Sequence, residues 1–210
     1  MKLAKKSWFT LIQFATIPVN YILSKLLKLK VVRPSNFHLE HGTLIIANHQ
    51  SKVDPFLIST HVGKKNILNI VPIRYPVTPE YMNKKILGFF IRLLGGYSVG
   101  ENSLERLKKL MFTRELLRDK YTVVIFPEGK IVRDADAVAE FEKGAQTLFS
   151  ENYPVVFVRL NGLNNKHKFK FWQNHSARFE YSEYLGPEVP KEKKVEAMVK
   201  FFNVTAPVID

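Results

Sequence analysis

Apolar and polar positions along this chain follow two periods, and the first thirty residues show the helical one. Residues 8–23 (WFTLIQFATIPVNYIL) are mostly apolar and lie between Lys2, Lys5 and Lys6 on one side and Lys25, Lys28 and Lys30 on the other. At about 100° per residue, Lys6, Thr10, Gln13, Asn20, Ser24 and Lys28 fall in one narrow sector, and only Ile17 interrupts it. Trp8, Leu11, Ile12, Ala15, Val19, Ile22 and Leu26 lie outside that sector. The pattern predicts an amphipathic helix with a basic polar face, kinked or split at Pro18, lying in a membrane interface. The plainer alternative is a terminal helix packed on its own domain, since amphipathicity alone does not distinguish the two. A spanning helix needs about 20 apolar residues, and this stretch is shorter and holds Gln13, Pro18 and Asn20. A cleaved secretory signal is not expected either, because no small-residue cleavage site follows.

Beyond residue 35 the period alternates between strand and helix. TLIIA (43–47) suits a buried strand, and after the polar stretch NHQSKVD the segment PFLIST reads as a helix entry, with Ser51 or Asp54 as cap and Pro55 in its first turn. NILNIVPI (66–73) reads as a second strand, and YMNKKILGFFIRLL (81–94) as a helix ending at Gly95–Gly96. Leu104, Leu107 and Met111, with Leu110 and Leu117, mark a helix over 102–119, and YTVVIF (121–126) is a strand stopped by Pro127. Helix over 142–150, strands over 154–160 and 176–182, and a last helix near 191–203 complete the pass. The expected fold is α/β: one domain with a mostly parallel or mixed central sheet flanked by helices. Residues 1–30 form the N-terminal membrane-associating segment and 31–210 the domain.

Composition narrows the partners. The 32 Lys and Arg against 19 Asp and Glu give a formal charge of +13 over 210 residues, which points to an anionic partner: nucleic acid, an acidic membrane leaflet or an acidic carrier protein. The absence of cysteine excludes a disulfide framework, a thiol nucleophile and a thiolate metal site. No nucleic-acid module and no basic groove with stacking aromatics is evident.

Two short segments carry candidate chemistry. His49 leaves the TLIIA strand at its C-terminal end, where open α/β sheets place their ligand sites, and Asp54 follows after four intervening residues. A tight strand-to-helix turn would let the carboxylate fix the imidazole tautomer and stabilise the imidazolium, leaving the other ring nitrogen free to take a proton from a hydroxyl. Read structurally, Asp54 is a helix cap. FPEGK puts Glu128 and Gly129 at the end of another strand. Gly129 permits close backbone approach, Glu128 has the chemistry to accept a substrate hydroxyl, and Lys130 and Arg133 suit a phosphate or another anion. The plain alternative is a solvated turn. A metal site is not expected, since His49 and Asp54 lack further ligands at helpful spacing.

Taken together, NHQSKVDPF (48–56) and FPEGK (126–130) resemble the glycerolipid acyltransferase family, best known for the 1-acyl-glycerol-3-phosphate acyltransferases. RLLGGYSVGEN (92–102) and YPVVFVRLNG (153–162) resemble its intervening block and later strand. The resemblance implies His49 and Asp54 as catalytic base and partner, and Glu128 and Gly129 in acceptor binding. It also implies acyl-CoA or acyl carrier protein as co-substrate, with no cofactor. A lysophospholipid acceptor, phosphatidic acid as product and a peripheral site on the cytoplasmic face of the cell membrane follow from it. The chain departs from the family in having Glu101 where an Arg usually ends the middle block, Lys130 and Ile131 where Thr-Arg usually follow Glu-Gly, and Phe157 where a Pro is frequent. Lys130 and Arg133 are the candidate replacements for the missing phosphate-binding cations, with Arg74 and Arg92 as further candidates near the site. Acylation of another lysolipid, such as a lyso-aminolipid, and a non-catalytic lipid-binding module are the competing expectations.

Overall fold

The computed structural model describes residues 2–132, 147–148, 152–163 and 177–203, with side chains from residue 7 onward. The chain opens with α1 (Lys2–Leu26), one helix that continues through Pro18 instead of splitting there. Pro18 has no N–H to donate to the preceding turn, but contacts on both sides of it fasten the helix to the domain. Gln13 Nε2 donates to the carbonyls of Ile73 (2.7 Å) and Leu94 (2.9 Å), and Asn20 Nδ2 donates to the Phe56 carbonyl at 3.2 Å. The polar stripe therefore faces inward: Asn20 and Ser24 are buried, and Phe14, Leu23 and Leu27 join the core beside them. Trp8, Leu11, Val19, Ile22 and Leu26 are left on the outside, Leu11 at 65% exposure. The helix is packed on its own domain and still presents an apolar face outward, the reverse of a basic face turned to water.

After α1 come β1 (Lys30–Val32), β2 (Leu44–Ala47), α2 (Asp54–Thr60), α3 (Lys64–Ile70), β3 (Ile73–Val77), α4 (Pro79–Met82), α5 (Lys85–Leu93) and β4 (Gly96–Ser98). Then follow α6 (Ser103–Arg118), β5 (Thr122–Ile125), β6 (Val155–Asn161), β7 (Arg178–Tyr181) and α7 (Lys191–Phe202). Among the described residues one seven-stranded sheet runs in the order β1-β7-β6-β2-β5-β3-β4. All neighbours are parallel except β6 and β7, so the single α/β domain has the mixed sheet that the alternation of periods implies. Every residue of β2 and β5 is buried, as expected for parallel strands covered on both faces.

Two apolar layers cover the sheet. On one face Ile45, Val124 and Val156 meet Leu57, Ile58 and Ile70 from α2 and α3. On the other, Leu44, Val123 and Phe157 meet Leu116 and Leu117 of α6 and Met198 and Phe202 of α7. Phe157 is fully buried, its ring 6.0 Å from that of Phe201 and 5.9 Å from that of Phe202.

Residues 66–73 are not a strand. They divide into the end of α3 and the start of β3, because Asn66 anchors a helical turn: its Nδ2 donates to Val62 O (2.9 Å) and its Oδ1 accepts the Leu39 N–H (2.9 Å). These bonds, with Ile67 and Ile70 turned to the core and Leu68 outward, outweigh the β-propensity of the segment. The helix over 81–94 is broken into α4 and α5, and of the helix over 142–150 only residues 147 and 148 are described.

Candidate active site

β2 is the middle strand of the sheet, flanked by β6 and β5, and its C-terminal end carries the NHQSKVD loop. Asn48 extends the β2–β6 ladder with its side chain. Its Nδ2 donates to Leu160 O (2.9 Å) and its Oδ1 accepts the Leu160 N–H (2.6 Å). Two residues on, Gln50 Oε1 accepts the Leu163 N–H at 3.2 Å. These bonds fix the backbone on both sides of His49, whose ring stacks on Phe126 at 4.1 Å.

Asp54 opens α2 but does not cap it. Its carboxylate turns back into the loop, where Oδ2 accepts hydrogen bonds from His49 Nδ1 (2.9 Å), Gln50 N (2.7 Å) and Ser51 N (2.8 Å). Ser51 Oγ donates to Oδ1. Asp54 is fully buried (0% exposed), held by four donors at a helix N-terminus, which favours negative charge. A carboxylate that accepts two backbone N–H groups at one oxygen can only accept from the ring nitrogen beside it, so His49 carries its proton on Nδ1. Its Nε2 is left with a lone pair and has no hydrogen-bond partner among the described residues.

The loop after β5 closes on the same residue. Gly129 sits at φ +63°, where a side chain would be strained, and its N–H donates to Phe126 O at 3.1 Å. The turn brings Glu128, 2% exposed, against β2: its Oε2 accepts the His49 N–H at 2.9 Å. His49 O in turn accepts the Val132 N–H at 2.7 Å. Glu128 thus grips the backbone of His49 from the neighbouring strand.

The acyltransferase family matches residues 28–159, more than half of the chain and inclusive of both loops. The chain belongs to the acyltransferase family. Among solved structures, PlsC, the 1-acyl-sn-glycerophosphate (LPA) acyltransferase from Thermotoga maritima, is similar in fold, with 18% identity, a TM-score of 0.56, and coverage of 97% of this chain and 94% of that one. No curated protein matches the chain.

In this acyltransferase the residues singled out from sequence separate into three groups. His49, Asp54, Glu128 and Gly129 come together as described, and Lys130 is exposed beside them. Arg74 does not join them. It is level with Val123 in the sheet, as is Leu44, so His49 lies five residues further along the strand direction, roughly 16 Å away. There its Nε donates to Gly95 O at 2.7 Å and its guanidinium lies 4.6 Å from the centroid of the Phe9 ring of α1. Burial pushes its pKa below the ordinary value, opposed by the nearby hydroxyls of Tyr97, Tyr121 and Tyr75. Arg133 lies outside the described residues. Glu101 accepts a hydrogen bond from Asn83 Nδ2 at 3.2 Å.

Lys52 was overlooked from sequence. It stands in the loop between His49 and Asp54, its Nζ 5.0 Å from the centroid of the Tyr81 ring, with Lys84 Nζ 5.4 Å from the same ring. A lysine between the two motif residues was visible in NHQSKVD; its proximity to α4 and α5 was not. Among the described residues no helix is long and apolar enough to cross a membrane, and no three His, Asp or Glu side chains group to hold a metal ion.

Proposed function

We propose that the protein transfers a fatty acyl chain from acyl-CoA or acyl carrier protein to the free hydroxyl of 1-acyl-glycerol-3-phosphate, working on the cytoplasmic face of an anionic membrane. The observation that carries the reading is the pair of 2.9 Å contacts at His49: Asp54 on Nδ1 and Glu128 on the backbone N–H. Together they leave Nε2 as an oriented base. In the reaction Nε2 takes the proton of the acceptor hydroxyl as its oxygen attacks the thioester carbonyl. The tetrahedral intermediate collapses by breaking the C–S bond, and the imidazolium returns the proton to the leaving thiolate, so the products are the ester and the free thiol. Asp54 stabilises the imidazolium between the two proton transfers. Lys130 and Lys52 are the proposed contacts of the acceptor phosphate, with Arg133 three residues further along the sequence. Both lysines are point charges without the bidentate fork of arginine. Membrane association is supported by the outward apolar face of α1 and by the charge of +13.

A second acceptor, a lysolipid with an amine in its head group, is favoured by one observation: Glu101 stands where the family usually has Arg, and its carboxylate is held toward α4 by Asn83. The test is a panel of lysophosphatidate, lysophosphatidylethanolamine, lysophosphatidylcholine and a lyso-aminolipid, offered with oleoyl-CoA and with oleoyl carrier protein, with products identified by mass. Lysophosphatidate as the best acceptor is the expected result. A clear preference for an amine-bearing acceptor replaces the substrate, and no acyl transfer to any of them overturns the reading.

A further inference from the structure

Resting on that membrane-bound reading, we infer that α5 is a second lipid-inserting element, which docks on the same anionic leaflet as α1 and brings the mouth of the His49 site to the bilayer surface. The nine residues of α5, KILGFFIRL, turn Ile86 (76% exposed), Leu87, Phe89 and Phe90 away from the protein. Its inward side is small or core-directed. Gly88 lies so close to the Met82 carbonyl that a Cβ would come within 2.2 Å of it, and Ile91 packs against the core. A soluble protein rarely leaves such a contiguous aromatic and aliphatic patch uncovered.

Three observations identify the occupant as lipid. First, α5 joins α1 to the site. At its C-terminal end the Leu94 carbonyl accepts from Gln13 of α1. At its N-terminal end Lys84 shares the Tyr81 ring with Lys52 of the His49 loop. Nine helical residues span about 14 Å, so one short rod runs from the anchor helix to the catalytic loop. Second, α5 and α1 lie on the same side of the sheet, because Ile91 and Phe14 enter the same apolar layer. Phe126, on which His49 stacks, belongs to that layer too, and the outer faces of both helices therefore look away from the sheet on the site's side. Third, the charges fit an anionic surface. α5 contains no acidic residue, follows Lys84 and carries Lys85 and Arg92 itself, while Glu80 approaches Lys84 at 4.0 Å and Glu101 is bonded to Asn83 just before it. Apolar side chains ringed by cations are the composition that inserts into an acidic leaflet.

The cysteine-free chain allows a direct test. Single cysteines at Leu11→Cys (α1), Phe89→Cys (α5) and Leu107→Cys, an exposed apolar position of α6 on the opposite face, are labelled with an environment-sensitive fluorophore. Each is mixed with vesicles of equal parts phosphatidylglycerol and phosphatidylcholine, with and without lipids brominated in the acyl chain. The expected result is a blue shift and bromine quenching at 89 as well as at 11, with neither at 107. In parallel, Phe89→Ser/Phe90→Ser should partition at least roughly tenfold more weakly onto the vesicles. A response at 11 but not at 89 overturns the role of α5 and leaves the membrane reading standing. Silence at both positions overturns both. A response at 107 equal to that at 89 overturns the orientation, and a vesicle-independent shift at 89 that grows with protein concentration shows that a second copy of the chain covers α5 instead.

Discussion

Replacing Asp54 by Asn separates the charge of the Asp54–His49 pair from its architecture. Asp54→Ala is the wrong tool, because it strips the acceptor from Gln50 N, Ser51 N, Ser51 Oγ and His49 Nδ1. Each buried donor left unpaired costs about 1–3 kcal/mol, and the sum rivals the whole stability of a domain, about 5–15 kcal/mol. In Asp54→Asn the amide oxygen at the Oδ2 position still accepts from the three nitrogens, and the amide nitrogen faces Ser51 Oγ, which also accepts. What is lost is the negative charge. With the ring nitrogen and carboxylate oxygen 2.9 Å apart, the charge centres are roughly 4 Å apart, and at an effective permittivity near 20 their attraction is about 4 kcal/mol. It operates only once His49 is protonated, in the transition state, so its loss falls on kcat and amounts to about a thousandfold. Thiol release from oleoyl-CoA measures this without protein background, since the chain has no cysteine of its own. Asp54→Asn should melt near the wild-type temperature and keep its KM for lysophosphatidate while losing kcat. A folded variant whose kcat stays within roughly tenfold of wild type would refute the reasoning.

Other outcomes follow from particular contacts. Asn48→Ala leaves the N–H and carbonyl of the buried Leu160 unpaired and should destabilise the protein by about 2–5 kcal/mol in urea unfolding; a loss below about 1 kcal/mol would show that the side chain does not brace the sheet. Gly88→Ala puts a methyl 2.2 Å from the Met82 carbonyl, and a backbone displacement costing about 1–3 kcal/mol should appear as a lower midpoint, whereas an unchanged midpoint would mean α5 is loosely seated. Burial lowers the pKa of His61, partly offset by its hydrogen bond to the Leu57 carbonyl and reinforced by Arg33. Below about pH 6.5 the unfolded chain therefore binds more protons at this position than the folded one, and stability, full above that pH, falls as pH drops through the lowered folded value. His61→Gln should flatten this acid-side slope in urea unfolding, and an identical slope would remove His61 as its source.

The sheet and the His49–Asp54 contact were legible in the sequence for different reasons. β5 and β6 stand out because Val-rich runs between turn residues have little alternative to a buried strand, and α6 because its apolar spacing is sustained from Leu104 to Leu117. β1 and β4, three residues each, are too short to show any period and exist through pairing with β7 and β3. The segment at 66–73 misled because its composition is β-prone while Asn66 and Asn69 fasten it to Leu39, a contact between distant positions that no local pattern reveals. At the site, spacing made His49 and Asp54 a candidate pair beside the reading of Asp54 as a helix cap, and the resemblance of NHQSKVDPF to the acyltransferase family decided between them. The grip of Glu128 on His49 was not legible, since it depends on β5 lying beside β2. Arg74 looked suitable by residue type, and only the strand register places it at the far end of the sheet. The wheel of α1 gave the right two faces, and its direction was set by Gln13 and Asn20 finding backbone partners across the domain.

The central claim is that His49 Nε2 is the base of an acyl transfer to lysophosphatidate. Its most direct test follows labelled oleoyl-CoA into phosphatidic acid in lysophosphatidate-loaded anionic vesicles, comparing wild type with His49→Ala at matched folding and vesicle binding. The expected result is steady product from the wild type and a loss of at least about a hundredfold in the variant. Turnover by folded His49→Ala close to that of the wild type would contradict it.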